Sequence, residues 1–263
     1  MTLVIGVLCT DGIVVGADSR ATYALPSGEK TVEQDMDSKI NIVDDKMVCA
    51  FSGSNGMGQD VLDSLTKTWG KIQRRSLENI KSEMTNTIAS IVKDYAQRRN
   101  VAAMAFGSDP ESMRSAQFVV GLVSQNRPAL LHFNARGDCE EVHRGLSFIA
   151  IGSGQPFADP FVSFVKRVAW FNGKPETIRQ GIVGVLWSIQ YVTEVNPGEG
   201  VGGPESIGVL RKGKNSWQSD ELKGELLDEY RGAIDSAESR IHEELNKVAS
   251  KDETSDPPRL QSK

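Results

Sequence analysis

The sequence predicts an α+β protein in which two stacked β-sheets lie between two helical layers, a four-layer αββα sandwich with an added C-terminal helix. Two strands near the start of the chain are apolar along their whole length, so both of their faces must be covered. Two pairs of amphipathic helices could supply those covers. The element order, ββ, αα, βββ, αα and β, places a helical pair after each block of strands and favours this layering.

Residues 3–9 and 13–17 form the clearest pair of predicted strands. Both runs are rich in Val, Ile and Leu, and Asp11-Gly12 between them is typical of a hairpin turn. Neither run alternates apolar with polar residues. We therefore expect an antiparallel pair that is buried on both faces.

The helical pairs are predicted from apolar residues at steps of three and four positions. The four helices are expected over residues 57–74, 77–98, 156–171 and 175–195. Strands between the two pairs are expected over residues 117–124, 129–133 and 146–151. The whole of residues 1–219 is accordingly predicted to form one domain.

The C-terminal part of the chain has a different composition. A charged helix with a narrow apolar stripe is predicted from Asp220 to Val248, giving a helical extension over residues 220–249. The polar, Pro-containing residues 250–263 are predicted to be a disordered tail. The stripe of the helix packs either on its own subunit or against a neighbouring one, and the sequence leaves both possibilities open.

Composition restricts the classes of partner. A net charge of -5 gives no basic surface for nucleic acid or for an anionic membrane, and the longest apolar runs are far shorter than a membrane span. The three cysteines, Cys9, Cys49 and Cys139, are odd in number and widely spaced, which favours a reducing compartment, the cytoplasm. The Gly-rich stretches match neither nucleotide-binding fingerprint, so neither a cofactor nor a metal is expected.

Thr2 is the first candidate for chemistry. A strand that enters a buried sheet at residue 2 places the chain terminus in the interior, where an unused α-amino group is costly. If Met1 is removed, Thr2 carries a hydroxyl nucleophile and an amine whose ordinary pKa of about 7.7 to 8.0 suits a base. The alternative is that Thr2 is merely a small second residue.

Asp18 and Lys39 could complete such a site. A lysine beside a terminal threonine favours its neutral amine and stabilises its deprotonated oxygen, while an aspartate keeps that lysine charged and oriented. Taken separately, however, the two residues are equally consistent with a turn aspartate and a solvated lysine.

The ordered set of motifs resembles the proteasome β-subunit pattern over roughly residues 2–212. The opening block, with its aspartate and arginine, is the specific part, whereas the glycine motifs alone are weak. The matching stretches are Thr2-Leu-Val-Ile-Gly-Val, Asp11-Gly12, Gly16-Ala17-Asp18-Ser19-Arg20-Ala21-Thr22, Lys39-Ile-Asn-Ile, Phe51-Ser-Gly53 and Ile151-Gly-Ser153-Gly154. The resemblance, strongest to the stand-alone bacterial proteasome homologues, implies an N-terminal-nucleophile hydrolase fold.

The resemblance also implies roles for individual residues. Thr2 would be the nucleophile and base, Asp18 and Lys39 its charge pair, Gly53 the oxyanion donor through its amide, and Ser153 the serine near the amine, with Arg20 in support. The family's aspartate and serine before a Gly-Gly pair are replaced here, where Gly198 and Val201 precede Gly202-Gly203; Glu199 is the candidate substitute. The primary specificity pocket would be lined by Ala21, Asp37, Phe51 and Asn55, with Phe51 making it shallow and Asp37 favouring basic side chains.

The function implied is that of a self-compartmentalising threonine endopeptidase that cuts peptides or unfolded polypeptides. It would assemble as stacked homo-oligomeric rings of six or seven subunits, with an unfoldase or cap as a possible partner. A serine hydrolase is disfavoured because neither Ser54 nor Ser153 lies in a G-x-S-x-G elbow. A catalytically weak or inactive ring scaffold is the alternative from another class.

Overall fold

The computed structural model describes residues 2–24, 30–106, 115–143, 147–170, 177–196 and 200–252. The chain contains both helices and β-sheets, as the α+β prediction requires. The predicted tail falls largely on residues 253–263, which lie outside the described residues, and the same holds for Glu199 and Gly198.

The first sheet has five strands in the order β10-β1-β2-β11-β12. Their bounds are Phe148–Gly152, Leu3–Leu8, Gly12–Ala17, Ser206–Lys212 and Trp217–Lys223. The predicted hairpin is confirmed, because β1 and β2 pair antiparallel with Val4 opposite Ala17 and Leu8 opposite Ile13. Both strands are buried along nearly their whole length, as their unbroken apolar sequence indicates.

The second sheet also has five strands, in the order β5-β6-β7-β8-β9, and a separate ribbon pairs β3 with β4. Strands β5 to β9 are Asn41–Val43, Met47–Gly53, Ala116–Ser124, Arg127–Phe133 and Cys139–Val142. The ribbon strands are Arg20–Ala24 and Lys30–Asp35. The sequence analysis predicted no strand at β3, β4, β6 or β9; of these, β3, β4 and β9 are short and lack a long apolar run.

The two sheets face each other across a buried hydrophobic cluster. Val4, Ile13 and Val15 of the first sheet contact Val48 and Val119 of the second in this cluster. Each is completely excluded from solvent. The burial on this side explains why strands β1 and β2 have no polar face.

Helices share a buried cluster with each sheet. Helices α1 (Asn55–Ile72) and α2 (Leu77–Phe106) pack on the second sheet through a cluster that includes Trp69, Met84 and Phe118. The side chain of Ser54 caps the N-terminus of α1 by accepting a hydrogen bond from Met57 N–H. This cap fixes α1 directly after β6, at the end of that strand.

The other helical group covers the first sheet. It comprises α3 (Gln155–Ala169), α4 (Ile178–Val195) and α5 (Asp228–Asp252). A capping box between Thr177 and Gln180 begins α4, whose apolar side chains fill a cluster with β1, β2 and β11. Leu227 and Ile234 add the start of the C-terminal region to the same cluster.

The predicted start of the C-terminal helix at Asp220 is wrong. Residues Trp217–Lys223 form strand β12, a short 3-10 helix follows at Gly224–Leu227, and α5 begins only at Asp228. The charged sequence between 218 and 223 has helical composition, but antiparallel pairing along the whole of β11 and the burial of Trp217 favour the strand. Tertiary contacts therefore override local propensity here.

The position of the apolar stripe on α5 answers the question that the sequence left open. Its first half packs on the chain's own helices, with Ile234 buried and Trp187 Nε1–H donating to Glu238 Oε1 at 2.6 Å. Its second half carries Ile241, Leu245 and Val248, which are 43%, 63% and 62% exposed, respectively. The stripe is thus covered within the subunit only up to about Glu238.

Candidate active site

Thr2 directly precedes strand β1, which begins at Leu3, and therefore lies at the N-terminal end of that strand. The pairing of Leu3 with Gly152 in β10 brings Ser153 beside Thr2. Thr2 N–H donates to Ser153 Oγ at 3.3 Å, and Gly154 N–H donates to Thr2 O at 3.5 Å. The pairing of β1 with β10 therefore fixes the position and orientation of the Thr2 backbone.

Asp18 and Lys39 form a buried ion pair next to Thr2. Asp18 follows β2, is fully buried, and accepts Leu3 N–H at 2.9 Å and Gly202 N–H at 3.1 Å. Lys39, 8% exposed, places its Nζ 2.9 Å from Asp18 Oδ1 and 3.1 Å from Thr2 Oγ1. The structure thus brings together the three residues on which the sequence hypothesis depends.

The third contact of Lys39 comes from the backbone. Lys39 Nζ donates to Arg20 O at 2.5 Å, so the ammonium has three oxygen acceptors around it. The side chain of Arg20 points to Asp35, with 3.3 Å between Nε and Oδ1. Arg20 therefore supports the site through its carbonyl oxygen, while its guanidinium anchors the β3–β4 ribbon.

Burial shifts the pKa values of both Asp18 and Lys39. It lowers the pKa of Lys39 and raises the pKa of Asp18, and the attraction between the two groups opposes both shifts. A lysine whose pKa is lowered gives up a proton more readily than a solvated one. With three oxygen acceptors around its Nζ, Lys39 is placed to stabilise negative charge at Thr2 Oγ.

Gly53 ends β6 in a conformation that other residues avoid. Its φ is +118°, and a Cβ at this position would lie 2.0 Å from Ser115 O. The steric conflict involves backbone, which cannot move aside as a flexible side chain can. A glycine is required here by local geometry, which accounts for the residue type that the sequence analysis singled out.

A cavity of about 610 Å³ opens in front of these residues. Of the residues predicted for the site, it is lined by Thr2, Ala21, Lys39, Phe51, Gly53, Asn55 and Ser153. The sequence analysis missed Thr22, Met36, Ser38, Asn41, Ser52, Gln59, Leu62, Ser115, Gln117 and Gly152. Gln59 and Leu62 could have been found, because they follow Asn55 at helical spacing on α1; Gln117 depends on the pairing of β7 with β6, which the sequence does not specify.

Asp37 is not among the residues that line this cavity, contrary to the expectation. Its side chain is 99% exposed and pairs with Lys223 at 3.1 Å. Its neighbours Met36 and Ser38 line the cavity instead. Strand β4 ends at Asp35 and the chain bends at residue 37, where the carboxylate lies against Lys223 of β12 and not at the cavity wall.

Gly198 and Val201 stand where the family's aspartate and serine were expected, and of these two only Val201 lies within the described residues. Val201 is 1% exposed and packs in the apolar cluster under α4, so it supplies no polar group. Gly202 donates its backbone N–H to Asp18. Glu199, the candidate substitute, lies outside the described residues.

Other nucleophiles and binding groups are poorly placed. Burial raises the pKa of Cys49 to about 12 and that of Cys139 to about 11, which disfavours the reactive thiolate. Over the described ranges, no three His, Cys, Asp or Glu side chains gather as a metal-binding group. None of the described helices is both long enough and apolar enough to cross a membrane.

Solved structures with the same fold include bacterial Anbu proteins. An Anbu complex in helical assembly from Pseudomonas aeruginosa superposes with a TM-score of 0.69 at 15% identity, covering 99% of this chain and 100% of that one. Anbu from Yersinia bercovieri, described as an ancestral β-subunit, gives a TM-score of 0.63 at 14% identity, covering 91% and 96%. At these identities, the likeness establishes the fold alone.

Sequence comparisons identify relatives of the chain. The proteasome β subunit of Methanosarcina thermophila is 28% identical over 159 residues, which is 60% of this chain and 65% of the relative. The match thus spans just under two thirds of that relative's length. Proteasome subunit β 1 of Thermococcus kodakarensis is 26% identical over 228 residues, 86% of this chain and 96% of the relative.

A family model described as proteasome subunit matches residues 2–164, more than half of the chain. The chain therefore belongs to the proteasome subunit family, and the resemblance noted in its motifs is confirmed.

Proposed function

We propose that this protein is a threonine endopeptidase whose nucleophile is Thr2 Oγ. The observation that carries the proposal is the 3.1 Å contact between Lys39 Nζ and Thr2 Oγ1, made by a lysine that Asp18 holds in a buried ion pair. Burying a lysine has a desolvation cost, which a lysine without a role at Thr2 would avoid by remaining at the solvated surface. The nucleophile, its electrostatic partner and the partner's carboxylate form the constellation expected for an activated hydroxyl.

The α-amino group of Thr2 supplies the base once Thr2 is the first residue of the chain. Its nitrogen would occupy the position of the present backbone nitrogen, 3.3 Å from Ser153 Oγ. The neutral amine takes the proton from Thr2 Oγ as Oγ attacks the scissile carbonyl, and then gives it to the departing amine. Water next attacks the resulting ester with the amine again as base, releasing the second product and restoring the hydroxyl.

Lys39 and Gly53 stabilise the charges that develop during these steps. The Lys39 ammonium lowers the cost of negative charge on Thr2 Oγ and favours the neutral form of the adjacent amine. The N–H of Gly53, at the cavity wall, would donate to the carbonyl oxygen as it becomes an oxyanion. A donor of this kind is worth about 2.7 to 4 kcal/mol in the transition state of other hydrolases.

This mechanism fits the four-layer αββα arrangement that we propose for the fold. The support comes from three buried clusters, one between the sheets and one between each sheet and its helices. In such an arrangement, the N-terminal strand of an N-terminal-nucleophile hydrolase begins where the two sheets open into a cavity. Thr2 occupies that place, directly before the first residue of β1.

The proposed reaction can be tested with fluorogenic peptide amides. Hydrolysis should be stopped by a threonine-directed epoxyketone, which reacts with both the hydroxyl and the free amine of a terminal threonine. Neither a serine-directed fluorophosphonate nor a metal chelator should reduce the rate. Hydrolysis that the chelator abolishes and the epoxyketone leaves unchanged would overturn the assignment.

The cavity favours substrates with an uncharged side chain at the cleaved bond. Lys39 is the single charged group among its described lining residues, and the other polar groups are amides and hydroxyls. The basic preference inferred from Asp37 is therefore withdrawn, because that carboxylate pairs with Lys223 outside the cavity. We expect a neutral side chain to be preferred over either charged class.

Phe51 should limit the size of that side chain. Its ring lies directly on the backbone of α1, since a Cβ on Gly58 would come within 2.1 Å of Phe51 Cε2. In the Phe51→Ala protein, the ratio of kcat/KM for a substrate with a large aromatic residue at the cleaved bond to kcat/KM for a substrate with alanine there should rise about tenfold. One methylene group in a hydrophobic pocket changes such a ratio by about 10- to 200-fold. Phe51→Leu is the control and should change this ratio less. An unchanged ratio in Phe51→Ala would show that Phe51 does not close the pocket.

We propose that the peptidase acts within stacked homo-oligomeric rings of six or seven subunits in the cytoplasm, where enclosure would restrict cleavage to unfolded chains. The family and the assembled Anbu relative support an oligomer. The exposed stripe Ile241, Leu245 and Val248 on α5 is the candidate contact between subunits. An unfoldase or cap that delivers substrate remains a hypothesis of the same kind.

Ending the chain after Arg240 should reduce the mass of the assembly and leave the subunit folded. The truncation removes the exposed stripe but keeps Leu227 and Ile234, which pack on the subunit's own core. Sedimentation velocity measures the assembly, and circular dichroism measures the fold. Glu243→Gln on the same half of α5 is a control that should retain the parental mass. A truncated protein of unchanged assembly mass would contradict the role of α5.

The second candidate function is that of a ring scaffold with weak or no hydrolysis. It is favoured by Val201, a buried apolar residue where the family pattern has a serine. The two candidates differ in whether Thr2 reacts, because a scaffold does not need a free amine or an accessible hydroxyl. The epoxyketone experiment distinguishes them directly.

A further inference from the structure

The segment that carries Lys39 is fastened by a hydroxyl on its N-terminal side. Ser38 Oγ accepts a hydrogen bond from Ile40 N–H at 2.9 Å and donates one to Glu221 Oε1. The first bond spans Lys39, and the second connects this segment to strand β12. The backbone on both sides of Lys39 is therefore fixed with respect to a strand 183 residues further along the chain.

Glu221 is itself held in place. Its backbone lies in β12, opposite Gly208 of β11, and Lys223 Nζ lies 3.3 Å from Glu221 Oε2. The same ammonium reaches Asp37 Oδ2 at 3.1 Å. The Glu221 carboxylate thus accepts from the Ser38 hydroxyl with one oxygen and faces the Lys223 ammonium with the other, and its own position is set by strand β12.

We propose that Glu221 is a positioning residue for Lys39, acting through the hydroxyl of Ser38. The inference rests on the proposed function, in which the Lys39 ammonium must lie within hydrogen-bond distance of Thr2 Oγ. Lys39 has a long side chain with three acceptors at 2.5 to 3.1 Å, and only a narrow range of backbone positions satisfies all three. A misplacement of about 1 Å can cost up to about 100-fold in rate.

The alternative is that Glu221 belongs only to a surface ion pair. Asp37 is exposed and Lys223 is partly exposed, and pairs of this kind contribute little to stability. The segment also has another anchor, because Met36 N–H donates to Ser19 O at 2.9 Å. If that anchor alone were sufficient, removing the Glu221 carboxylate would leave Lys39 where it is.

The kinetic test compares three substitutions on β12. Glu221→Ala should lower kcat for peptide hydrolysis about tenfold with little change in KM. This factor lies between the effect of losing one hydrogen bond and the effect of misplacing a catalytic group by about 1 Å. Glu221→Gln keeps an oxygen acceptor for Ser38 and should restore most of the rate. Asp220→Ala is the matched control, because Asp220 is the next residue on the strand and pairs instead with Arg211 at 2.8 Å.

A double substitution tests the path through Ser38. Ser38→Ala should lower kcat by a similar factor, and the Glu221→Ala/Ser38→Ala protein should be no slower than the slower single variant. Rate losses that multiply would show that Glu221 and Ser38 act separately, which would overturn the proposal.

Hydrogen exchange of the peptide containing residues 36–41 supplies a measurement independent of hydrolysis. In the assembled protein, Glu221→Ala should speed exchange at this peptide severalfold, because Ile40 N–H loses a fixed acceptor, whereas Glu221→Gln and Asp220→Ala should not. Unchanged exchange in Glu221→Ala, or faster exchange with an unchanged kcat, would overturn the positioning role. If the parent protein hydrolyses no peptide, the proposed function fails, and the exchange result still decides whether Glu221 holds the segment.

Discussion

Replacement of Thr2 with alanine should abolish peptide hydrolysis and leave the oligomer intact. The substitution removes the one hydroxyl that contacts Lys39 Nζ while keeping the backbone bonds of residue 2 to Ser153 and Gly154. Loss of a catalytic nucleophile typically costs at least about 10³-fold in rate. The rate is measured with a fluorogenic peptide amide, and the assembly is measured by light scattering.

Thr2→Ser is the control for this experiment. It keeps the hydroxyl and the potential amine, and it should retain a substantial part of the activity. If Thr2→Ala hydrolyses the peptide as fast as the parent protein, the nucleophile is elsewhere. If both variants are inactive and disassembled, Thr2 has a structural role in addition to the proposed chemical one.

Replacement of Lys39 with methionine should be almost as damaging to activity and should also destabilise the fold. The substitution leaves Asp18 fully buried with two backbone N–H donors but without its cation. Removing one partner of a buried ion pair costs about 3 to 5 kcal/mol in free energy of unfolding. Chemical denaturation measures this loss, and the peptide assay measures the activity.

The loss of stability should depend on pH, with a sign set by Asp18. Burial already raises the pKa of this carboxyl in the parent protein, and removal of Lys39 takes away the attraction that opposes the rise. Below the ordinary carboxyl pKa, Asp18 is protonated in both folded and unfolded chains, so no charge is buried. The destabilisation in Lys39→Met should therefore be smallest in acid and should grow as the pH rises.

A second substitution separates stability from chemistry. Asp18→Asn in the Lys39→Met background removes the uncompensated charge and should recover part of the lost stability, because the amide oxygen can still accept Leu3 N–H. Activity should not return, since no cation then lies beside Thr2 Oγ. Recovery of activity in this double variant would show that Lys39 is needed only for folding.

Sequence patterns were sufficient for the parts of the fold governed by local rules. The unbroken apolar runs of β1 and β2, with Asp11-Gly12 between them, predicted a buried hairpin that the structure contains. The first four helices were predicted from their periodicity, with ends displaced by at most three residues except at the end of α2, which lies eight residues beyond the predicted position 98. Strand β12 was missed because its charged residues match a helix in composition, and its pairing partner lies in β11.

The candidate site was predictable where a motif fixed a residue and unpredictable where only pairing did. Thr2, Asp18 and Lys39 are in contact, as the motifs indicated. Asp37 lies outside the cavity because its carboxylate pairs with Lys223, a partner 186 residues away that no local pattern indicates. Sequence analysis could not connect Glu221 with Lys39. The two residues are close only in the assembled sheet, and Glu221 lies on strand β12, which the sequence patterns did not predict.

The central claim, that Thr2 is a working N-terminal nucleophile, is tested most directly by intact mass spectrometry before and after treatment with a threonine-directed β-lactone. The account predicts a chain that lacks Met1 and gains one adduct, mapped by fragmentation to Thr2. The Thr2→Ala protein should gain none. A parent chain that retains Met1 and forms no adduct, or one whose adduct maps to another residue, would contradict the claim.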